Sequence, residues 1–118
     1  ESDLSERMAE AASRGELFRE QPFVMGLPAS QVDGSDSDET ILIQGIIDVF
    51  WIEEDGIVVL DYKTDRVKTG KELADRYASQ LKLYGEALER IYNHGSERTL
   101  RVKERLLYSF RLGAVIPV

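Results

Sequence analysis

The sequence predicts an α/β domain: a mixed central sheet that contains one antiparallel hairpin and is flanked by helices. Three observations lead there. Thr40 to Ile52 (TILIQGIIDVFWI) and Gly56 to Thr64 (GIVVLDYKT) are rich in β-branched and aromatic residues, and Glu53-Glu54-Asp55-Gly56 between them holds an Asp-Gly hairpin signal. A long amphipathic helix follows over Lys71 to Tyr92, with Leu73, Tyr77, Leu81, Tyr84, Leu88 and Ile91 in one stripe. Two more strand-like runs, Arg105 to Phe110 and Ala114 to Val118, come after it, so the first of them returns to the sheet by a crossover.

The other elements follow in order. Asp3 to Ser13 reads as a short helix closed at Gly15, where a left-handed residue can end it. Leu17 to Met25 reads as a strand carrying Glu20, and Pro22 confines that strand to an edge or an irregular segment. Gly26 to Glu39, with Pro28, Gly34 and alternating Ser and Asp, reads as a loop. Thr69-Gly-Lys-Glu72 is a capping-box pattern that opens the long helix, and Asn93-His94-Gly95 stops it, which makes His94 a helix-end residue.

Composition bounds the function. A chain of 118 residues with 42% hydrophobic residues is a single domain with one core, expected over residues 1–118. No apolar run approaches the roughly 18 residues of a membrane span, and no signal-peptide pattern opens the chain, so the expectation is a cytoplasmic protein with no membrane partner. Cysteine is absent, which excludes disulfides, thiolate-bound zinc and an iron–sulfur cluster in this chain. The net charge of −7 opposes strong phosphate binding by this domain alone, although many of the acids fall within Asp33 to Glu39.

Chemistry concentrates in the hairpin. A two-residue Asp55-Gly56 turn would set Asp48 opposite Lys63 and diagonal to Asp61, whereas a loop of all four residues Glu53 to Gly56 would set Asp48 opposite Asp61. Either way Asp48, Asp61 and Lys63 share one face, because side chains alternate and cross-strand neighbours lie roughly 4.5 to 8 Å apart. That face is otherwise apolar, with Leu42, Ile46, Phe50 and Ile52 from one strand and Ile57 and Val59 from the other. From spacing alone two readings stand. One is a buried Asp48–Lys63 pair with a structural role. The other is a site for a hard cation such as Mg²⁺ or Mn²⁺, which takes oxygen ligands from one or two carboxylates and accounts for the second aspartate.

Asp48 followed by Asp61-Tyr62-Lys63 resembles the PD-(D/E)XK nuclease signature, with Asp61 as its second acid and Lys63 as its lysine. Three further strings sharpen the likeness: Arg19-Glu20-Gln21-Pro22-Phe23, Thr64-Asp65 completing DYKTD, and Gln80-Leu-Lys-Leu-Tyr84. Together they resemble the RecB-type nuclease domains, in particular those at the C-terminus of AddA-type helicase–nucleases, over nearly the whole chain. The resemblance implies a restriction-endonuclease-like core and Mg²⁺- or Mn²⁺-dependent hydrolysis of DNA during double-strand break repair and homologous recombination. It also implies a helicase body in the same polypeptide and an AddB-type partner subunit.

Residue by residue, the resemblance makes Asp48, Asp61 and the Tyr62 main-chain carbonyl the metal ligands and Lys63 the group that orients or deprotonates water. It adds Glu20, Gln80 and Tyr84 to the catalytic set: Gln80 approaches the metal or scissile phosphate from one helical turn before Tyr84, which supports it. Without the family, Tyr84 reads as a core aromatic, Gln80 as a rim residue and Glu20 as an exposed strand residue. Arg66 and Lys68 are candidate contacts to the DNA backbone. The family commonly completes its metal shell with a histidine on an upstream helix, and nothing before Glu20 supplies one. The expectation is therefore a piece of a larger helicase–nuclease without its upstream helices. Two alternatives belong to other classes: a catalytically inert interaction module, and a stand-alone structure-specific endonuclease of the same fold.

Overall fold

A computed structural model describes residues 2–30, 39–93 and 100–118. The elements are α1 (Ser2–Ser13), β1 (Leu17–Pro28), β2 (Thr40–Glu53), β3 (Gly56–Lys63), α2 (Gly70–Asn93), β4 (Val102–Ser109) and β5 (Ala114–Pro117). The strands form one mixed sheet in the order β1-β2-β3-β4-β5. Only β3 and β4 run parallel, with α2 as the crossover between them; the other neighbours are antiparallel. The expected α/β class, hairpin and crossover are all present.

The alternation of β2 and β3 feeds two apolar layers. Phe50, Ile52, Ile57 and Val59 join Leu73, Leu81 and Leu88 of α2 on one face of the sheet. Val49, Trp51, Val58 and Leu60 join Leu4, Met8 and Ala11 of α1 on the other. Both helix ends follow from the sequence. After α1, Glu16 N–H donates to the Ala11 carbonyl at 2.9 Å and Gly15 N–H to that of Ala12 at 3.0 Å. Gly15 supplies the left-handed φ of 72° that this closure requires. At the start of α2, Glu72 N–H donates to Thr69 Oγ1 at 3.1 Å, while the Glu72 carboxylate accepts from Lys68 N–H at 3.0 Å rather than from Thr69 itself.

α1 is tied to the sheet by charge at the hairpin end. Arg7 makes a two-pronged pair with Glu53 at 2.8 and 2.9 Å and also reaches Glu104. Glu53 further accepts from Trp51 Nε1 at 2.8 Å and pairs with Lys103 at 2.6 Å. Hydrogen bonding from Arg7, against a smaller cost of burial, holds the Glu53 carboxyl down at about 2.

The structure corrects several expectations. The hairpin has the register that sets Asp48 opposite Asp61, but with a tighter turn than a four-residue loop: Glu53 pairs with Gly56, which leaves Glu54 and Asp55 as the turn. Gly26 to Pro28 belong to β1, paired with Thr40 to Leu42, rather than to a loop; residues 31–38 and His94 lie outside the described residues. The first strand after α2 starts earlier than expected, at Val102. Leu42 and Ile46, expected beside Asp48 on the core face, are 68% and 57% exposed. Ile91 is exposed too: in the last turn of α2, Tyr92 takes the core position, its ring 6.1 Å from that of Phe50.

Leu42 and Ile46 face out because the ribbon of β1 and β2 inverts its alternation once. Phe18 and Phe50, paired and stacked at 4.9 Å, lie in the layer beneath α2, yet further along the ribbon Phe23, Met25, Ile43 and Ile47 occupy that layer. The phase changes in both strands at the same place, between Arg19↔Val49 and Gln21↔Ile47, where Glu20 faces Asp48. Glu20 there has φ of 50°, a left-handed conformation that costs a non-glycine residue about 1 kcal/mol.

Candidate active site

Asp48 sits where the sheet divides. Ladder pairing between β2 and β3 ends at Val49↔Leu60, and beyond it β3 continues with β4 through Asp61↔Leu107, Tyr62↔Tyr108 and Lys63↔Ser109. In place of a strand partner, Tyr62 N–H donates to Asp48 Oδ2 at 3.0 Å. An aspartate at this fork therefore satisfies a buried backbone donor and still has a carboxylate oxygen to offer. The fork opens at the C-terminal end of a strand in an α/β sheet, where such folds place ligand sites.

Asp61 is the most perturbed acid of the site. It is 3% exposed, and its pKa is pushed up to about 6, first by burial and then by the neighbouring Asp48 carboxyl. Lys63 opposes this with an ion pair to Asp61 Oδ2 at 2.8 Å, but it does not offset the whole cost. The pairing differs from the structural reading of the sequence, in which Asp48 and Lys63 neutralise each other: here Lys63 pairs with Asp61 and Asp48 with backbone.

From α2, Gln80 Oε1 accepts from Lys63 Nζ at 2.9 Å, and Nζ lies 3.9 Å from the centroid of the Tyr77 ring. Gln80 thus meets the lysine, not the carboxylates. Tyr84 is buried against Phe23, ring centroids 5.5 Å apart, and its hydroxyl is raised by burial and then by the charges of Asp61 and Asp48. The Gly45 of Gly45-Ile-Ile-Asp48 makes room for this contact, since a Cβ there would stand 2.9 Å from the Phe23 ring and 3.5 Å from Tyr84. Tyr77, Gln80, Tyr84 and Phe23 line a groove of about 460 Å³ between α2 and the β1–β2 ribbon.

The fold thus brings Asp48, Asp61, Lys63, Gln80 and Tyr84 together. Glu20 stands apart. It lines an open cleft of about 310 Å³ with Arg19, Asp48 and Tyr62 on the strained part of β1. Among the described residues, no three His, Cys, Asp or Glu side chains gather into a metal-binding cluster. The donor chemistry suits a hard cation nonetheless: two adjacent carboxylates, one of them buried with its charge only partly offset. Tyr77, read from the sequence only as a core stripe residue, is the addition; its place three residues before Gln80 on one helix face was the available signal.

Among the described residues, no helix is long and apolar enough to cross a membrane. Comparison with known proteins places this geometry in a family. The model of the PD-(D/E)XK nuclease superfamily matches residues 2–113. The chain is also similar to proteins each named as a subunit of an ATP-dependent helicase/nuclease. With that of Lachnoclostridium phytofermentans it shares 35% identity over 154 aligned residues, covering 100% of this chain and 11% of the relative. With that of Clostridium perfringens the identity is 42% over 119 residues, covering 94% and 9%, and with that of Syntrophomonas wolfei 47% over 105 residues, covering 86% and 8%. The chain spans about a tenth of the length of these curated relatives. Fold, signature residues and match together make the chain a member of the PD-(D/E)XK nuclease superfamily.

Proposed function

We propose that this chain is the DNA-cleaving domain of a helicase–nuclease, an exonuclease that depends on Mg²⁺ or Mn²⁺ and serves double-strand break repair by homologous recombination. The observation that carries the reading is Asp61, a buried carboxylate pushed up by its surroundings, beside Asp48 and paired with Lys63. Burial beside a second carboxyl disfavours the charged form of Asp61 more than Lys63 offsets, and a hard cation held by both carboxylates would offset the remainder. The names of the relatives, each a subunit of an ATP-dependent helicase/nuclease, support the larger context of a helicase in the same polypeptide; an AddB-type partner subunit and a cytoplasmic location belong to the same proposal.

Asp48, Asp61 and the Tyr62 carbonyl would hold the cation. When bound, it supplies charge neutralisation at the attacked phosphodiester and a more acidic water. The chain's own groups do the rest. Lys63, as an ammonium, orients the attacking water and steadies the negative charge that develops on phosphate oxygens. Gln80 fixes the direction of the Lys63 ammonium through its amide oxygen. Tyr84 and Phe23 pack edge to face and wall the groove beside Gln80, where Tyr84 feels the charges of Asp61 and Asp48. Glu20 and Arg19 stand at the cleft on the far side of Asp48, placed to meet DNA or its water shell rather than to complete the ligand set.

The test is cleavage of linear duplex DNA by the full-length polypeptide with ATP and Mg²⁺. Asp61→Ala and Lys63→Ala are each expected to abolish cleavage and to leave ATP hydrolysis intact. Cleavage that survives either substitution refutes the assignment.

A further inference from the structure

Lys63 has more around it than its two hydrogen-bond partners, and we infer that Tyr77 and Asp65 act together as a positioning pair for its ammonium group. The inference rests on the nuclease reading above, in which Lys63 faces the attacked phosphodiester. A lysine ammonium carries three donors on a flexible aliphatic stem, so its direction must be fixed from outside. Asp61 Oδ2 at 2.8 Å and Gln80 Oε1 at 2.9 Å take two sides of Nζ, and the face of the Tyr77 ring, 3.9 Å from centroid to Nζ, covers a third. Asp61 is the one of these three that the proposed cation also claims. Gln80 and the Tyr77 ring are then what keep Lys63 in place.

The ring is itself held. The Tyr77 hydroxyl donates to Asp65, 3.0 Å from Oδ1 and 2.8 Å from Oδ2, and Arg76 Nη1 pairs with the same Oδ2 at 2.8 Å. Asp65 follows Lys63 by two residues, where β3 has ended and α2 has not begun. The contact therefore ties the chain just after the lysine to the helix that carries both Tyr77 and Gln80. It also gives Asp65 of the DYKTD string a task.

The experiment is single-turnover cleavage of linear duplex DNA by the full-length polypeptide at saturating Mg²⁺. Tyr77→Leu is expected to lower the rate about 10-fold, the worth of a partly desolvated cation–π contact, with the KM for DNA and the half-saturating Mg²⁺ unchanged. Tyr77→Phe keeps the ring but frees it from Asp65 and is expected to lower the rate about 3-fold, as is Asp65→Asn. The double variant should be no slower than either single one, because both remove the same contact. By NMR, the ring-current shift of the Lys63 ε-methylene should persist in Tyr77→Phe and vanish in Tyr77→Leu. An unchanged rate in Tyr77→Leu, or additive effects in the double variant, overturns the positioning pair. Should Tyr77→Leu fail to fold, the two milder variants and their cycle decide the matter. Lys63→Ala separates the two levels: cleavage that survives it overturns the nuclease reading, whereas its loss beside a fully active Tyr77→Leu overturns the positioning pair alone.

Discussion

Glu53 closes the hairpin end of β2, and Asp61 faces Asp48 near the middle of the same strand; both carboxylates are largely out of water, with side chains 19% and 4% exposed, yet their surroundings move them in opposite directions. Glu53 meets Arg7, Lys103 and the Trp51 indole, and falls to about 2. Asp61 meets one lysine and a second carboxyl, and rises to about 6. In one cluster two bases close around Glu53 and fasten α1 to the sheet, with Glu104 and Asp55 sharing Arg7 and Lys103 nearer water. In the other, burial and the Asp48 carboxyl disfavour the charge of Asp61 more than Lys63 offsets, the condition under which the proposed cation would be stabilising. Both are built from the same acids and bases, so what separates them is burial and the nearest partner rather than residue type.

The largest effect expected of this contrast is on catalysis. Lys63→Ala should cut DNA cleavage about 10³-fold or more, the scale of losing a positioned electrostatic group. Glu53→Gln should leave the cleavage rate of folded protein unchanged. Next comes pH. The Asp61 pKa is raised above its ordinary 3.8, so its favourable contribution is fully present below that value and is lost as pH rises through about 6. Metal-free protein should therefore lose up to about 3 kcal/mol between pH 4 and pH 8 from this group, measured by chemical unfolding, and Asp61→Asn should flatten that slope.

Glu53 behaves in the reverse sense. Its pKa is depressed from 4.5, so its contribution is present above that value and lost as pH falls through about 2. Because the Arg7 and Glu53 side chains keep some contact with water, Glu53→Gln should cost about 1 to 2 kcal/mol at neutral pH, less than the shift alone implies. The smallest effect has the opposite sign. Asp61→Asn should stabilise metal-free protein at pH 8 by about 1 kcal/mol, because burial and Asp48 disfavour the ionised Asp61 by more than its lost pairing with Lys63 offsets. Destabilisation by Asp61→Asn would place Asp61 in the same class as Glu53 and break the comparison.

Much of this was legible in the residues. The strand runs, the Asp-Gly turn signal and the capping box at Thr69 fix where the hairpin and α2 begin, and strand alternation alone brings Asp61 and Lys63 to one face. Alternation could not reveal the inversion at Glu20 and Asp48, because it depends on a left-handed residue that is not glycine and on two strands changing phase together. That single irregularity turned Leu42 and Ile46 outward and aimed Asp48 at the Tyr62 amide. Ile91 failed for a related reason: in the last turn of the helix it is Tyr92 that meets Phe50, and periodicity does not choose between neighbours on a stripe. The contact of Tyr77 with Lys63 spans two elements, and its one local trace is that Tyr77 stands three residues before Gln80 on the same helix face.

Calorimetric titration of Mn²⁺ into the protein at pH 6.5 tests most directly whether Asp61 and Asp48 hold the proposed cation. Wild-type and Glu53→Gln proteins should both bind saturably and release protons, because binding forces the raised Asp61 carboxyl to ionise, and Asp61→Asn should lose both signals. Equal binding by wild-type and Asp61→Asn proteins, or saturable binding that Glu53→Gln abolishes, would contradict the account.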